Sequence, residues 1–140
     1  DPRYDRLFEL VAYTVAEGAA NLVRGPYADT DLAAKAPAGA ELMARFVRQV
    51  VAEGDLERAD ALINEGLAGN GPLYGLGWKL ASLIAEHDGA QAVGEYQQQG
   101  ATAFALRGAG IADGDNDLVL APEVVAALHE LELRLDSLAR

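Results

Sequence analysis

Two histidines and no cysteine are available in this 140-residue chain for chemistry that needs an imidazole or a thiolate. His87 stands just before Gly89 at the end of a predicted helix, where a histidine usually caps the helix or faces solvent. His129 is followed by Glu130, but the position four residues on is Leu133, so the zinc motif His-Glu-x-x-His lacks its second imidazole. The chain therefore predicts neither a complete zinc site of its own nor a cysteine nucleophile.

Residues 113–117 begin like a calcium-binding loop, because oxygen-bearing side chains occupy alternate positions. The sixth position of that loop is Leu118, where glycine is needed for the turn, and the twelfth is Val124, where a bidentate glutamate is needed. An ordinary solvated turn is the better interpretation.

A glutamate and an amide on the first predicted helix are more informative. Glu17 and Asn21 are four residues apart, which places them on one face, and the small residues 18–20 between them allow another element to come close. Two interpretations stay open. Glu17 is either a functional carboxylate or a partly buried helix residue paired with an arginine such as Arg24 or Arg45.

The remaining chain is organised around a predicted central helix over residues 71–89. Pro72 suits its first turn and Gly89 its end, while apolar residues recur at three- and four-residue steps. Gly75 and Gly77 beside Trp78, the sole tryptophan, cost roughly 1 kcal/mol each in helix propensity. They indicate that another helix or a ligand packs closely here. The apolar face consists of Leu73, Leu76, Leu80, Leu83 and Ile84.

The pattern from Glu17 to Asn21 resembles the glutamate helix of gluzincin metallopeptidases, in which a Glu-x-x-x-Asp helix supplies the third zinc ligand and an acid that orients another ligand. Residues 72–77, together with Leu80, Ala81, Ile84, Gly89 and Phe104, resemble the C-terminal helical part of zinc-dependent peptidases of that group. The resemblance covers roughly residues 10–107. It implies that Glu17 is a metal ligand, that Asn21 orients a ligating histidine, and that Tyr74 polarises the scissile carbonyl of a peptide substrate.

The chain also departs from that family. The helix with His-Glu-x-x-His is absent and Asn21 replaces the usual aspartate, so zinc is expected only if ligands outside this chain complete the site; otherwise no cofactor is expected. We therefore expect either a fragment that has lost its upstream helix or a relative that has lost the chemistry. In both cases the chain alone is a metallopeptidase-like helical domain without activity. The alternative is a non-catalytic helical module that binds a partner or itself.

The periodicity predicts an all-α, single-domain bundle of five to seven helices over residues 1–140, with no strand. Residues 27–39 contain Pro37 and several small residues, and we expect a loop there with at most one helical turn near residues 31–35. Asp55 is expected to cap the helix over residues 55–67. Besides the central helix, the expected helices cover residues 3–23, 40–53, 55–67, 89–96, 100–107 and 122–140.

Apolar residues of the last predicted helix form a narrow seam of coiled-coil type. Such a seam needs one facing helix, which belongs either to the same chain or to a second copy in a homodimer. Its members are Val124, Leu128, Leu131, Leu135 and Leu138.

The net charge of −11, from 22 acidic and 11 basic residues, argues against nucleic acid, because phosphate binding needs a concentrated basic patch. It also disfavours anionic membrane surfaces, and no apolar run approaches the roughly 20 residues that cross a bilayer. Cations and basic partners are favoured instead.

Overall fold

The computed structural model describes residues 1–23, 29–115 and 118–140 of the chain. These residues form seven α-helices and one π-helical segment, and no strand occurs among them. The predicted all-α class is confirmed for these residues. That the chain forms a single domain stays a prediction. The elements are α1 (Pro2–Val23), α2 (Asp29–Phe46), the π-helical segment (Val47–Ala52), α3 (Arg58–Leu67), α4 (Pro72–Asp88), α5 (Ala90–Gln99), α6 (Ala101–Asp115) and α7 (Pro122–Leu138).

The second helix begins much earlier than its sequence suggests. The expected loop over residues 27–39 is wrong for the described residues 29–39, which are helical with Pro37 inside the helix. Proline removes the hydrogen bond to the carbonyl four residues back, here that of Ala33. Both residues are exposed, so water can satisfy that carbonyl. The adjacent face buries Leu32 and Ala36, and this packing outweighs the local propensity.

A π-helical turn connects α2 to the next segment. The Glu53 N–H donates to the Arg48 carbonyl at 3.0 Å, a five-residue step, and Val50 is fully buried within this turn. The expected cap at Asp55 is wrong: α3 begins at Arg58, and its cap position is Glu57, whose side chain makes no capping hydrogen bond.

Single glycines separate α4 from α5 and α5 from α6. Gly89 has φ 96° and Gly100 has φ 126°, which glycine adopts without a steric penalty. The sixth helix extends past the expected end at residue 107. Residues 113–115, expected in a turn, belong to α6, and residues 116–117 lie outside the described residues.

The central helix α4 carries the core. It packs against α1, α2, α3, α5 and α6, and the apolar face predicted from Leu73 to Ile84 is buried. Buried side chains from all seven helices and the π-helical segment belong to one hydrophobic cluster.

The last helix closes the bundle with the first part of its apolar seam. Val124, Leu128 and Leu131 are buried, and α7 contacts α6, the π-helical segment, α1 and α2 of its own chain. Leu135 is half-buried, and Leu138 is 84% exposed. The homodimer through this helix stays a prediction. Within the described ranges, no helix is both long and apolar enough to cross a membrane.

Candidate functional site

The site that the sequence suggests lies where α1 crosses α4. At this crossing Gly18 of α1 and Gly77 of α4 are in backbone contact: a Cβ built on Gly18 would lie 2.1 Å from the Gly77 carbonyl carbon, and one built on Gly77 would lie 2.0 Å from the Thr14 oxygen. No side chain fits between the two helices here. The close approach predicted from the glycines of α4 is therefore made by a helix.

The opposite side of α4 is equally close to α2. A Cβ on Gly75 would lie 2.5 Å from the Leu32 carbonyl oxygen, and one on Gly39 would lie 2.4 Å from the Pro72 oxygen. The central helix is thus held between two helices by glycine contacts. This fixes the position of its first two turns, which include Tyr74.

Glu17 precedes the crossing glycine of α1 and is half-buried. Among the described residues no ion pair includes its carboxylate, and Arg45, one of the two arginines expected as a partner, instead binds Glu65 with Nη2 2.5 Å from Oε1. The hydrogen bond from Arg45 lowers the pKa of Glu65. The other expected partner, Arg24, lies outside the described residues. The carboxylate of Glu17 is therefore not committed to Arg45.

Asn21 follows one turn later and is 9% exposed. Its side-chain Nδ2 donates to the backbone carbonyl of Glu17 at 2.8 Å. This hydrogen bond fixes the amide beside the glutamate and leaves Oδ1 as the atom that could accept an imidazole N–H.

Tyr74 lies on α4 one turn before Gly77 and is half-buried. The crossing places Gly77, which follows Tyr74 by one turn, against Gly18, which follows Glu17 directly. In the part of the chain that the structure describes, no group of three histidine, cysteine, aspartate or glutamate side chains is arranged to hold a metal ion. Any metal bound by Glu17 would need ligands beyond these residues.

A second polar cluster, which the sequence did not reveal, connects the end of α4 to α6. Arg107 donates to both carboxylate oxygens of Asp88, from Nε to Oδ2 and from Nη2 to Oδ1 at 2.7 Å each. The His87 Nδ1 is 2.8 Å from Asp88 Oδ1. These hydrogen bonds hold the pKa of the Asp88 carboxyl well below its usual range, and the contribution of Arg107 is larger than that of His87.

This cluster borders a cavity of about 480 Å³ between α4 and α6. A carboxylate that holds one imidazole nitrogen can orient a general base or a metal-binding histidine. Catalysis would need a further reacting group, and the described residues around His87 provide no three-ligand set. The cluster is therefore best explained as a structural ion pair that connects α4 to α6. His129, the other imidazole, is exposed on α7.

Comparison with known protein families, with curated proteins and with solved structures found no match to this chain. The resemblance to metallopeptidases accordingly stays an expectation from the sequence.

Proposed function

We propose that this chain supplies the glutamate helix and the tyrosine helix of a metallopeptidase-like zinc centre, with the two ligating histidines provided from outside these 140 residues. The observation that carries the proposal is the backbone contact between Gly18 and Gly77. It supports the proposal because it fixes, relative to each other, the turns that bear Glu17 and Tyr74. The resemblance of residues 10–107 to gluzincin peptidases agrees with this pairing.

Each of the three side chains would have a separate role. Glu17 would be an anionic ligand, for which a half-buried carboxylate without an ion pair to Arg45 is suited. Asn21 would orient a ligating histidine through Oδ1. Tyr74 would donate a hydrogen bond to the scissile carbonyl as negative charge develops on its oxygen. Bound zinc would supply the Lewis acid that activates water and polarises the carbonyl.

Zinc content tests the proposal directly. The 140-residue chain alone should hold no stoichiometric zinc, whereas the full natural protein that contains these residues should hold one zinc ion per chain. Glu17→Gln should remove that zinc, because the amide is neutral and a poor third ligand. Glu95→Gln, an exposed glutamate on α5, is the matched control and should retain it.

The role of Tyr74 is tested separately in the same protein. Tyr74→Phe should keep the zinc and lower the peptidase rate by about a hundredfold, the size expected when one hydrogen-bond donor to the developing oxyanion is lost. If the full protein holds no zinc, or if Glu17→Gln and Glu95→Gln hold equal amounts, the proposal is wrong.

A non-catalytic binding or dimerisation module is the second candidate, and the exposed end of α7 favours it. Leu133 is 63% and Leu138 is 84% exposed, and Leu138 also borders a groove of about 370 Å³ that includes Phe8 of α1. Sedimentation velocity tests this surface. A dimeric parent that becomes monomeric in Leu138→Glu, but not in the control Leu56→Glu, would support it. A monomeric parent would exclude the homodimer.

A further inference from the structure

A cavity of about 540 Å³ opens between the second half of α6 and the beginning of α7. Its walls are mainly aliphatic, with Leu106 and Ala109 from α6 and Val125 and Ala126 from α7. Pockets that bind small organic molecules commonly have volumes of about 300–1,000 Å³, with mainly apolar walls and few polar groups. The volume and the lining of this cavity agree with that description.

The approach to α7 adds an exposed apolar wall. Val119 is 69% exposed and borders the cavity, although its neighbours Leu118 and Leu120 are 3% and 9% exposed. The neighbours hold the segment to the core, and Val119 is left facing outward. The cavity therefore has an apolar surface that the described part of the chain does not cover.

Two ionisable side chains, Asp113 and His129, also border the cavity and are exposed. No ion pair among the described residues includes Asp113. Among the described residues, no lysine or arginine lines the cavity. The potential at the cavity is therefore negative, which favours a cation and disfavours an anion.

We propose that this cavity binds a small organic cation with an apolar body, of the arylalkylammonium class. The ammonium group pairs with the carboxylate of Asp113, and the ring contacts the aliphatic wall formed by Leu106, Val125 and Ala126. The residues involved belong to α6 and α7. The inference is thus independent of the zinc proposal, which depends on α1 and α4.

Titration of the ¹⁵N-labelled chain with phenethylammonium at pH 7, followed by amide chemical shifts, tests the site. Signals of Ala109 and Val125 should move in a saturable manner, while that of Ala61 on α3 should not. Phenylpropionate has a similar apolar body and the opposite charge. It should bind at least tenfold more weakly if the negative potential selects the ligand.

Two variants with matched controls separate the contributions of shape and charge. Ala126→Leu places a larger side chain in the cavity and should weaken phenethylammonium binding at least tenfold, whereas Ala61→Leu, also at an exposed helical alanine, should not. Asp113→Asn should weaken binding about threefold, as expected for one exposed ion pair. Asp136→Asn changes the net charge equally at an exposed position elsewhere and should have no effect.

Several results would overturn the inference. These are equal affinity for phenethylammonium and phenylpropionate, unchanged binding in Ala126→Leu, or shifts that spread over all helices. Binding of a basic amphipathic peptide without binding of phenethylammonium would also overturn it, because the cavity between α6 and α7 would then be a protein-docking surface.

Discussion

Gly77→Ala should destabilise the fold even though alanine is the better helix former. A Cβ at this position would lie 2.0 Å from the Thr14 oxygen and 3.0 Å from the Gly18 Cα, where ordinary contact begins at 3.4 Å. Because both neighbours are backbone atoms of a helix, neither can rotate away. Overpacking typically costs about 1–3 kcal/mol, and a rigid contact of this kind belongs near 3 kcal/mol. The gain in helix propensity returns about 1 kcal/mol, which leaves a net loss of about 2 kcal/mol.

Urea denaturation, followed by circular dichroism and by the fluorescence of Trp78, measures this loss as a lower midpoint at unchanged slope. Gly94→Ala on α5 is the control, since a Cβ there meets nothing within 4 Å. It should stabilise the chain by about 1 kcal/mol through helix propensity alone. If Gly77→Ala is as stable as the parent while Gly94→Ala gains as expected, the backbone contact between α1 and α4 does not exist as described.

Three further predictions concern buried and paired groups. Leu131→Asp should lose its helical far-UV circular dichroism signal, because it places an unpaired charge at a site that is 2% exposed. Leu133→Asp, at a site that is 63% exposed, should stay folded. A folded Leu131→Asp variant would contradict the packing of α7. Thr14→Val should lower the free energy of unfolding by about 1 kcal/mol, because the Thr14 hydroxyl donates to the Leu10 carbonyl at 2.8 Å. Thr102→Val should leave the free energy of unfolding in urea unchanged, because its buried hydroxyl has no described hydrogen-bond partner. A Thr102→Val variant that is less stable than Thr14→Val would be inconsistent with these hydrogen bonds. Asp88→Asn should be less stable than the parent at pH 7, and the difference should shrink as the pH falls below about 4. The folded-state pKa of Asp88 is lowered, so its stabilisation is fully present above the ordinary pKa and is lost as the pH falls towards the folded-state pKa. A difference that grows in acid would contradict the pairing with Arg107.

Regular apolar spacing explains which helices could be predicted. The central helix and the last helix show three- and four-residue steps of large aliphatic side chains, and both are found within about two residues of their expected ends. The first half of α2 lacks this signal because Ala36 and Gly39 are small. Its helical state depends on contact with α4, which only the tertiary structure shows.

The candidate site and the neighbouring polar cluster also contain pairs that the sequence could predict and pairs that it could not. Glu17 and Asn21 are four residues apart on one helix, so their common face follows from helical geometry. Asp88 and Arg107 are 19 residues apart on different helices, and the ion pair between them depends on how α4 and α6 pack. Local patterns predict pairs within a helix, whereas pairs between helices require the fold.

The Gly18–Gly77 contact also limits how a zinc centre could be completed. Nothing can enter between α1 and α4 at the crossing, since even one Cβ would lie within about 2 Å of backbone atoms. Glu17 and Tyr74 are each half-buried, so a group that binds either side chain would have to approach it from the surface. A helix that carries two histidines would therefore add to the outside of the α1–α4 pair. The zinc proposal requires an additional element and leaves the packing of the described helices unchanged.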